Sequence, residues 1–571
     1  MSAVFLLLFS ALIRMFWPRV KPDIPWICPV LALALPFCAG GFHIAAAAAL
    51  SLILTLAIRD EMRKNNIFRL FLNPAAVCTA VLFLAYCVTP FWAADKGMAV
   101  FALPKYLPLV LYVLLVMQSD RDISQKTLDL IPGCGCLMTI LSALASCIPA
   151  LHPHVTVNGR LAGFFQYPNS YAAFLLTALI IHTLKLRKKS DFVLTLVLVV
   201  GIVLSGSRTV FVLMILFMAI IALLRRQKLL TGILGTALIC GLCAGFLADT
   251  LGMLANADRF TDIRTSSGTF LVRLLYFRDV LPSILANPLG IGYLGYPAIE
   301  GSIQTGRYYV TYIHNEFLQL LLEVGWIPGI AMAFALLIPV FSRKTAAVHR
   351  LILMAVLAHC MMDFDLQFCV FWIILLSCTP LRSGRAYRIT ARNTIRVCTA
   401  LLTAAALWLG CGDFLYRAEK PDLCLRLTPF HTDALAYQMS VSEDAREMDD
   451  LADQILALNP THSLAFSGKA NAAFSRGDIS ATIQYKESAI RASRYSTDDY
   501  CDYFDKLYMA MQAYLQAGNV SNAAYCRNKL LEIPQMMAAV SQQTHPLAYM
   551  TGDDSSLILP PEYTAILDQL R

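Results

Sequence analysis

The chain has 571 residues, of which 58% are hydrophobic and only 15% are charged, and its mean hydropathy is +0.61. Soluble domains average about 25% charged residues, so this composition excludes an ordinary soluble protein and indicates a chain with many membrane spans. The net charge of +8 does not indicate nucleic-acid binding, because the basic residues lie in short clusters between apolar runs, where they act as topology signals.

Apolar runs predict an all-α, polytopic transmembrane bundle of about 12–14 spans, several of them shorter than the roughly 20 residues that a perpendicular helix needs. The first run lacks the basic start and the cleavage site of a signal peptide, so we interpret it as a span. The predicted spans are 3–16, 27–39, 42–58, 74–92, 104–118, 128–149, 164–184, 191–205, 208–224, 229–247, 316–341, 349–362, 367–380 and 394–411.

Clusters of lysine and arginine follow every second span, and the positive-inside rule makes all of these connections cytoplasmic. The clusters are 14–21, 59–69, 121–126, 185–189 (with Arg187), 225–228, 343–350 and 382–396. The same alternation predicts that the remaining connections face outward, among them 95–105, 152–163, 205–208, 248–314 and 363–365.

The composition changes after residue 412, which divides the chain into a predicted membrane domain (1–412) and a polar, helical domain (413–571). Because no further span follows, the second domain is predicted to be extracytoplasmic. Residues around Gly477 and Gly518 resemble tetratricopeptide helix pairs, although the interval exceeds the usual repeat of roughly 34 residues. Such repeats bind proteins or peptides along a concave face. The alternative is a generic helical bundle.

The longest polar interval in the hydrophobic part of the chain runs from 248 to 314, and we interpret it as an extracytoplasmic loop that caps a site. It contains a Pro/Gly-rich turn at 287–292 and ends at His314-Asn315. Its arginines are Arg259, Arg264, Arg273, Arg278 and Arg307.

Two further polar stretches face the same side, one with Arg160 at 158–169 and one with Arg208 at 205–209. Arg208 is wedged between two apolar runs, and a guanidinium at the centre of a span costs about 2.5 kcal/mol or more. Its alternative interpretation is an interfacial anchor, and that of His314 is a polar helix cap or an interfacial histidine. Arginine forks match phosphate oxygens, and histidine can take a proton from a hydroxyl near neutral pH. The combination suits a lipid-linked diphosphate donor and a hydroxyl acceptor.

Several of these motifs, in this order, resemble the O-antigen ligase / Wzy polymerase superfamily over about residues 70–380. The matching segments are Gly159-Arg160-x-x-Gly163 with Pro168-Asn169, Ser207-Arg208, Leu271-Val272-Arg273, Asn287-Pro288-Leu289-Gly290-Ile291-Gly292, His314-Asn315-Glu316-Phe317-Leu318-Gln319 with Glu323-Val324-Gly325, and His359 with Asp363-Phe364-Asp365. The resemblance implies a GT-C-type glycosyltransferase. Such an enzyme moves a glycan from undecaprenyl diphosphate to an acceptor at the outer face of the bacterial cytoplasmic membrane.

The resemblance also implies roles for individual residues. Arg208 and Arg273 hold the diphosphate and His314 activates the acceptor hydroxyl, and we class these three as catalytic. The substrate-binding set is Arg160, Asn169, Asn315, Asp363 and Asp365. The two aspartates orient a histidine or sugar hydroxyls, and the alternative is a turn with solvated carboxylates.

We predict no metal and no cofactor. The large loop contains no Asp-x-Asp cluster, although Asp363-Phe364-Asp365 has that spacing. The 17 cysteines lie mostly in apolar runs, where cysteine is a small hydrophobe, and they indicate neither a disulfide framework nor a metal site.

The expected partners are the undecaprenyl-diphosphate-linked glycan, a glycan, lipid or protein acceptor, and a protein bound by the C-terminal repeats. Ligase and polymerase share donor and chemistry, so they stay open, with a slight preference for ligase. A lipid-linked glycan transporter is a second class of function, but transporters place ionisable groups near the midplane rather than at one face. A scaffold is a third, which does not require so many spans.

Overall fold

The computed structural model describes residues 2–21, 23–64, 67–186, 188–252, 254, 268–551 and 556–571. Arg187, Arg259 and Arg264, which the sequence analysis placed in a basic cluster and in the large loop, lie outside the described residues. Helices dominate the rest, with two short two-stranded sheets. The prediction of an all-α, polytopic membrane protein is confirmed.

Helices of the first part of the chain are α1 Ser2–Val20, α2 Ile27–Pro29, α3 Leu35–Phe37, α4 Ile44–Lys64, α5 Pro74–Val88, α6 Lys96–Ala99, α7 Ala102–Gln118, α8 Ile123–Ser146, α9 His152–Val155, α10 Pro168–Lys185, α11 Asp191–Leu204, α12 Arg208–Arg225 and α13 Lys228–Thr250. A π-helical turn (Val30–Ala34) joins α2 to α3. Single 3₁₀ turns lie at Ala39–Gly41, Thr89–Phe91, Gly163–Phe165 and Asp365–Gln367.

Helices of the second part are α14 Gly268–Ala286, α15 Gly295–Ile303, α16 Glu316–Val324, α17 Trp326–Phe341, α18 Ala347–Cys360, α19 Cys369–Ser377, α20 Arg392–Arg417, α21 Pro421–Leu427, α22 Thr432–Val441, α23 Ala445–Leu458, α24 Ser463–Ser475, α25 Ile479–Ala492, α26 Thr497–Gln516, α27 Val520–Gln543, α28 Pro546–Tyr549 and α29 Pro561–Leu570. The described part of the interval 248–314 therefore contains the end of α13 and two complete helices, α14 and α15.

Strands β1 (Phe68–Leu72) and β4 (Arg385–Ile389) pair antiparallel, with Phe68 opposite Ile389. They join the end of α4 to the start of α20. Strands β2 (Thr156–Val157) and β3 (Arg160–Leu161) form a small hairpin just before α10.

In the described part of the chain, seven helices are long and apolar enough to cross a membrane by length and composition. They are Ser2–Val20, Pro74–Phe91, Lys96–Gln118, Ile123–Ser146, Arg208–Arg225, Lys228–Thr250 and Arg392–Arg417. Four shorter apolar helices are Ile27–Phe37, Asp191–Leu204, Trp326–Phe341 and Ala347–Cys360. Local sequence signals fix several starts. At α5, for example, the Asn73 side chain accepts from the Ala76 amide at 3.0 Å and Pro74 follows as the first helical residue.

Helix α10 is the centre of the bundle. Every residue from Ser170 to Ile181 is buried, and α10 packs against α8, α11, α12 and α18. The largest hydrophobic core surrounds it and extends from Leu6 to Leu409. A helix that is apolar on all sides belongs inside a bundle. The residues in the first turn of α10 are therefore held in place by the surrounding helices.

The predicted span 316–341 is two helices, because Gly325 breaks it between α16 and α17 with a φ of 84°. The Pro/Gly-rich turn packs into this break. Ile291 N donates to Leu322 O at 2.8 Å, and Trp326 N donates to Pro288 O at 3.0 Å. Contacts between two distant chain segments hold this break in place. The apolar pattern of 316–341 alone therefore did not reveal it.

The C-terminal helices pack against α14 and α15. His545 N donates to Thr305 O at 2.8 Å, and Arg494 N donates to Gly301 O at 3.1 Å. Ala548 joins the hydrophobic core formed by α14, α15 and α16. The C-terminal helices therefore support the segment that the sequence analysis interpreted as a cap.

Replacement of Gly290 by alanine should destabilise the protein by more than the cost of a left-handed φ alone, because the new Cβ would also overlap neighbouring backbone. A Cβ at Gly290 would overlap the backbone of Glu323 and Gly325, whereas a Cβ at Gly477 meets open space at a similar φ. Gly477→Ala therefore costs only the left-handed conformation, about 1–2 kcal/mol, and Gly290→Ala costs more. Thermal unfolding of the detergent-solubilised variants measures the difference, and equal shifts would contradict the close approach.

The stability of α15 should depend on pH through Glu300. Burial raises the pKa of this carboxyl from 4.5 to about 7, so the stabilisation is complete below 4.5 and is lost as the pH rises through about 7. Glu300→Gln keeps an acceptor for the Val310 amide (2.6 Å) and removes the titration. Its melting temperature should match that of wild type at pH 5 and exceed it at pH 8. The exposed Glu443→Gln is the control, and a difference that does not vary with pH would contradict the assignment.

Candidate active site

Polar side chains meet where several helices of the bundle begin or end on one side. Asn169 lies at the start of α10, Arg208 at the start of α12, and Asn315 just before α16. Asp363 lies between α18 and α19, and Arg273 lies on α14. Consecutive helices of a bundle run in opposite directions, so every second connection comes to the same end.

The Asp363 carboxylate is the hub of this cluster. It has no exposed surface, and its two oxygens accept from four side chains. Tyr167 Oη (2.8 Å) and His314 Nδ1 (3.3 Å) donate to Oδ1. Asn169 Nδ2 (2.7 Å) and Arg273 Nη2 (3.2 Å) donate to Oδ2. The arrangement places a guanidinium and an imidazole on one buried carboxylate.

Asp363 is held in its ionised form. Burial alone raises the pKa of a carboxyl, but the Arg273 guanidinium and the His314 ring hold the pKa of Asp363 well below its usual range. The Tyr167 hydroxyl is protonated, because its oxygen donates to the ionised carboxylate. The charges at the hub are thus fixed.

His314 has a left-handed backbone with a φ of 58°. The next residue, Asn315, caps α16 by accepting from Phe317 N and Leu318 N, both at 3.1 Å. Its amide also donates to Met361 O at 3.0 Å. These bonds tie the turn before α16 to the loop of Asp363, and they hold the His314 ring 5.0 Å from the Phe364 ring, edge to face.

One nitrogen of the His314 imidazole, Nδ1, is hydrogen-bonded to Asp363, and the other, Nε2, is not part of that bond. Because Nδ1 faces an ionised carboxylate, it carries the proton, and Nε2 of the neutral ring is then a proton acceptor. The side chains of His314 and Arg273 keep exposed fractions of 16% and 17%, in contrast to the fully buried Asp363. Both can therefore meet a ligand while their shared partner cannot.

Arg160 is connected to the hub through Asn169. Its Nη2 donates to Asn169 Oδ1 at 2.6 Å, and its Nε donates to Ser205 O at 2.8 Å. Ser205 lies in the turn that ends three residues later at Arg208, the first residue of α12. Helix α12 packs against α10 and α18, whose ends hold the other residues of the cluster. The backbone thus brings Arg208 to the same end of the bundle.

Asp365 has a separate environment from Asp363, although only one residue lies between them. It is fully buried and bonds the His359 ring, and Ser170 Oγ donates to it at 2.7 Å. The alternative of solvated carboxylates in this turn is wrong, because both aspartates have 0% exposure. Each is directed to its own set of protein donors.

The sequence analysis did not single out Tyr167 or Ser170, which bind the two aspartates, and it noted His359 only as part of a motif. A tyrosine and a serine beside a predicted span show no pattern that separates them from ordinary interfacial residues. Their proximity to Pro168-Asn169 was the available signal. In the described part of the chain, no group of three or more His, Cys, Asp or Glu side chains is arranged to hold a metal ion.

One family model matches part of the chain. Residues 193–334 match the family model Wzy_C, described as O-Antigen ligase. This match supports the O-antigen ligase / Wzy polymerase superfamily and a ligase- or polymerase-like membrane enzyme. It includes Arg208, Arg273 and His314, whereas Asp363 lies beyond it. No curated protein and no solved structure matches the chain.

The two aspartates should differ in how far they support folding. Asp365→Asn leaves His359, which is 1% exposed, without its anion, and breaking a buried pair costs about 3–5 kcal/mol. Asp363→Asn should cost less, about 1–3 kcal/mol, because water can reach Arg273 and His314. Unfolding midpoints compared with the exposed control Asp422→Asn measure both effects. A larger loss for Asp363→Asn would contradict this ranking.

Proposed function

We propose that the protein is a membrane glycosyltransferase. It transfers a glycan from an undecaprenyl-diphosphate carrier to an acceptor at the outer face of the bacterial cytoplasmic membrane. The observation that carries the proposal is the single buried carboxylate of Asp363, which holds Arg273 and His314 side by side. The match of residues 193–334 to an O-antigen ligase family model supports the reaction class.

His314 is the general base. Its Nε2 takes the proton of the acceptor hydroxyl while the hydroxyl oxygen attacks the anomeric carbon of the glycan. Asp363 keeps the proton on Nδ1 and stabilises the imidazolium that forms. Asp363 is therefore a positioning residue, which touches the base rather than the substrate.

Arg273 and Arg208 bind the diphosphate. As the bond between the anomeric carbon and the phosphate oxygen breaks, its electron pair passes to that oxygen, and negative charge grows on the leaving group. Arginine presents five N–H donors in a fork that fits phosphate oxygens. Arg208 starts α12, so the N-terminal end of the helix dipole adds positive potential there.

The mechanism requires no metal ion. The guanidinium groups supply the positive charge that a divalent cation supplies in other transferases, and both oxygens of Asp363 already accept from protein donors. Arg160 and Asn169 orient the donor side of the site, and Asn315 and Asp365 hold the turns that present His314 and Asp363.

The C-terminal domain, residues 413–571, is a tetratricopeptide-like unit on the extracytoplasmic side that binds the acceptor or a protein partner. Its successive helices pack on one another, and Gly477 and Gly518 take left-handed φ angles in the turns after α24 and α26. Contacts to Thr305 and Gly301 place this domain beside the segment that carries Arg273. An acceptor held on the repeats thus reaches the site, which favours a ligase over a polymerase.

A transporter of the same lipid is the competing function. It would need ionisable groups that exchange between the two sides, whereas the groups around Asp363 lie together at one end of the bundle. The C-terminal helices contact α14 and α15 at that same end. These contacts favour an enzyme whose active site is covered by the segment 268–314.

Glycan transfer by the purified protein tests the proposal. With an undecaprenyl-diphosphate oligosaccharide, candidate acceptors and EDTA, wild type should release undecaprenyl diphosphate. His314→Ala and Arg273→Ala should each lower the rate by about 10²-fold or more, since each removes a group that acts in the transition state. The exposed variants His154→Ala and Arg446→Ala serve as matched controls and should retain activity.

Loss of turnover in EDTA, restored by a divalent cation, would contradict the metal-free mechanism. Transfer that persists in both site variants would support the glycosyltransferase activity but contradict the roles assigned to His314 and Arg273. Movement of the lipid across liposomes without glycan transfer would replace the enzyme by a transporter.

A further inference from the structure

Helices α4 and α20 enclose a groove at the end of the bundle opposite Asp363. The chain enters α4 at Ile44, near Phe42, whose ring lies 6.4 Å from the ring of Phe364 beside the hub. Helix α4 then runs away from the hub to Lys64, and α20 starts at Arg392 beside that far end. The cavity has a volume of about 590 Å³, within the range of small-ligand sites.

The walls of the groove follow helical spacing on both helices. On α4 they are Leu52, Thr55, Leu56, Ile58, Arg59, Met62 and Arg63, and on α20 they are Arg396, Thr399, Ala400, Thr403, Ala404 and Leu407. A hydrogen bond of 2.8 Å between the hydroxyls of Thr55 and Thr403 joins the two walls. Small residues on α20 leave room for a ligand between the helices.

The groove is basic at one end and apolar along the rest. Arg59, Arg63 and Arg396 line the far end, and Arg59 lies seven positions, or about 10 Å of helix, from Leu52. Between Ile44 and Ile58, α4 carries no charged residue. A groove of this shape suits a ligand with an anionic head and an apolar chain.

None of the three guanidinium groups is within salt-bridge distance of a carboxylate in the described part of the chain. The two acidic residues in this turn of α4 are bound elsewhere: Asp60 pairs with Arg14 at 2.8 Å, and Glu61 pairs with Lys64 at 2.6 Å. Both carboxylates lie outside the lining of the groove. The positive charge at its end therefore remains available to an external anion.

Arg396 distinguishes this site from a set of interfacial anchors. Its Nε is buried and has no hydrogen-bond partner among the described residues. An anchoring arginine extends its head into water, whereas a buried N–H donor without a partner costs free energy. Arg396 as a whole is half-buried and lines the end of the groove, where a phosphate oxygen would accept from the part of its guanidinium that remains accessible.

We propose that the groove binds an anionic phospholipid. Its phosphate bonds Arg59, Arg63 and Arg396, and one acyl chain lies along Leu52, Leu56 and Leu407. Basic pockets between transmembrane helices recognise lipid head groups by the same chemistry. This site is separate from the proposed glycosyltransferase centre, and its test does not depend on that activity.

Native mass spectrometry of the delipidated full-length protein, titrated with phosphatidylglycerol or phosphatidylcholine of equal chain length, tests the site. Wild type should bind the anionic lipid at least tenfold more tightly. The triple variant Arg59→Gln, Arg63→Gln, Arg396→Gln should lose that preference. The control Lys189→Gln, Lys228→Gln, Arg343→Gln removes the same charge from exposed positions outside the groove and should retain it.

A second variant, Ala404→Phe, fills the apolar part of the groove and keeps all three arginines. It should weaken binding of phosphatidylglycerol about tenfold or more, because the acyl chain loses its place. Inorganic phosphate at the same concentration should not displace the lipid. Equal binding of both lipids, equal loss in the control triple, unchanged binding by Ala404→Phe or displacement by inorganic phosphate would each overturn the proposal.

Discussion

A carboxylate without access to water must find its compensation within the protein, and Asp363 imposes this requirement on the rest of the structure. Moving an ion out of water costs several kcal/mol even after the protein relaxes. Asp363 meets that cost with donors from three other segments: the start of α10, helix α14 and the turn before α16. The bundle, the cap and the turn are thus fixed relative to one another by one residue. Because Arg273 and His314 retain partial exposure, the same interaction that organises the cluster leaves both of these side chains accessible.

The supports of the site extend outward from this hub. His314 adopts a φ of 58°, which costs an L-residue about 1–2 kcal/mol, and it is held there by the Asn315 cap on one side. On the other side, the C-terminal helices form hydrogen bonds with Gly301 and Thr305, in the segment that contains α14 and α15. Together these contacts indicate that the C-terminal helices contribute to the geometry around Arg273.

The fold class and much of the cluster could be predicted from the sequence, since apolar runs reveal buried helices and polar motifs beside them reveal their ends. The hub itself could not. Asp363 and Asp365 are alike in sequence, and only the turn between α18 and α19 directs one to His314 and the other to His359. The break at Gly325 was also missed, because an apolar pattern continues across a bend that tertiary contacts create. Contacts between distant segments, such as Tyr167 with Asp363, have no local signal.

A double-mutant cycle on glycan transfer tests whether Asp363 acts through His314. The values of kcat/KM are measured for wild type, His314→Ala, Asp363→Asn and the double variant. Strong coupling is expected: once His314 is absent, Asp363→Asn should lower kcat/KM by little more. Additive losses, with the double variant slower by the product of the two single effects, would show that the two residues act independently and would contradict a positioning role for Asp363.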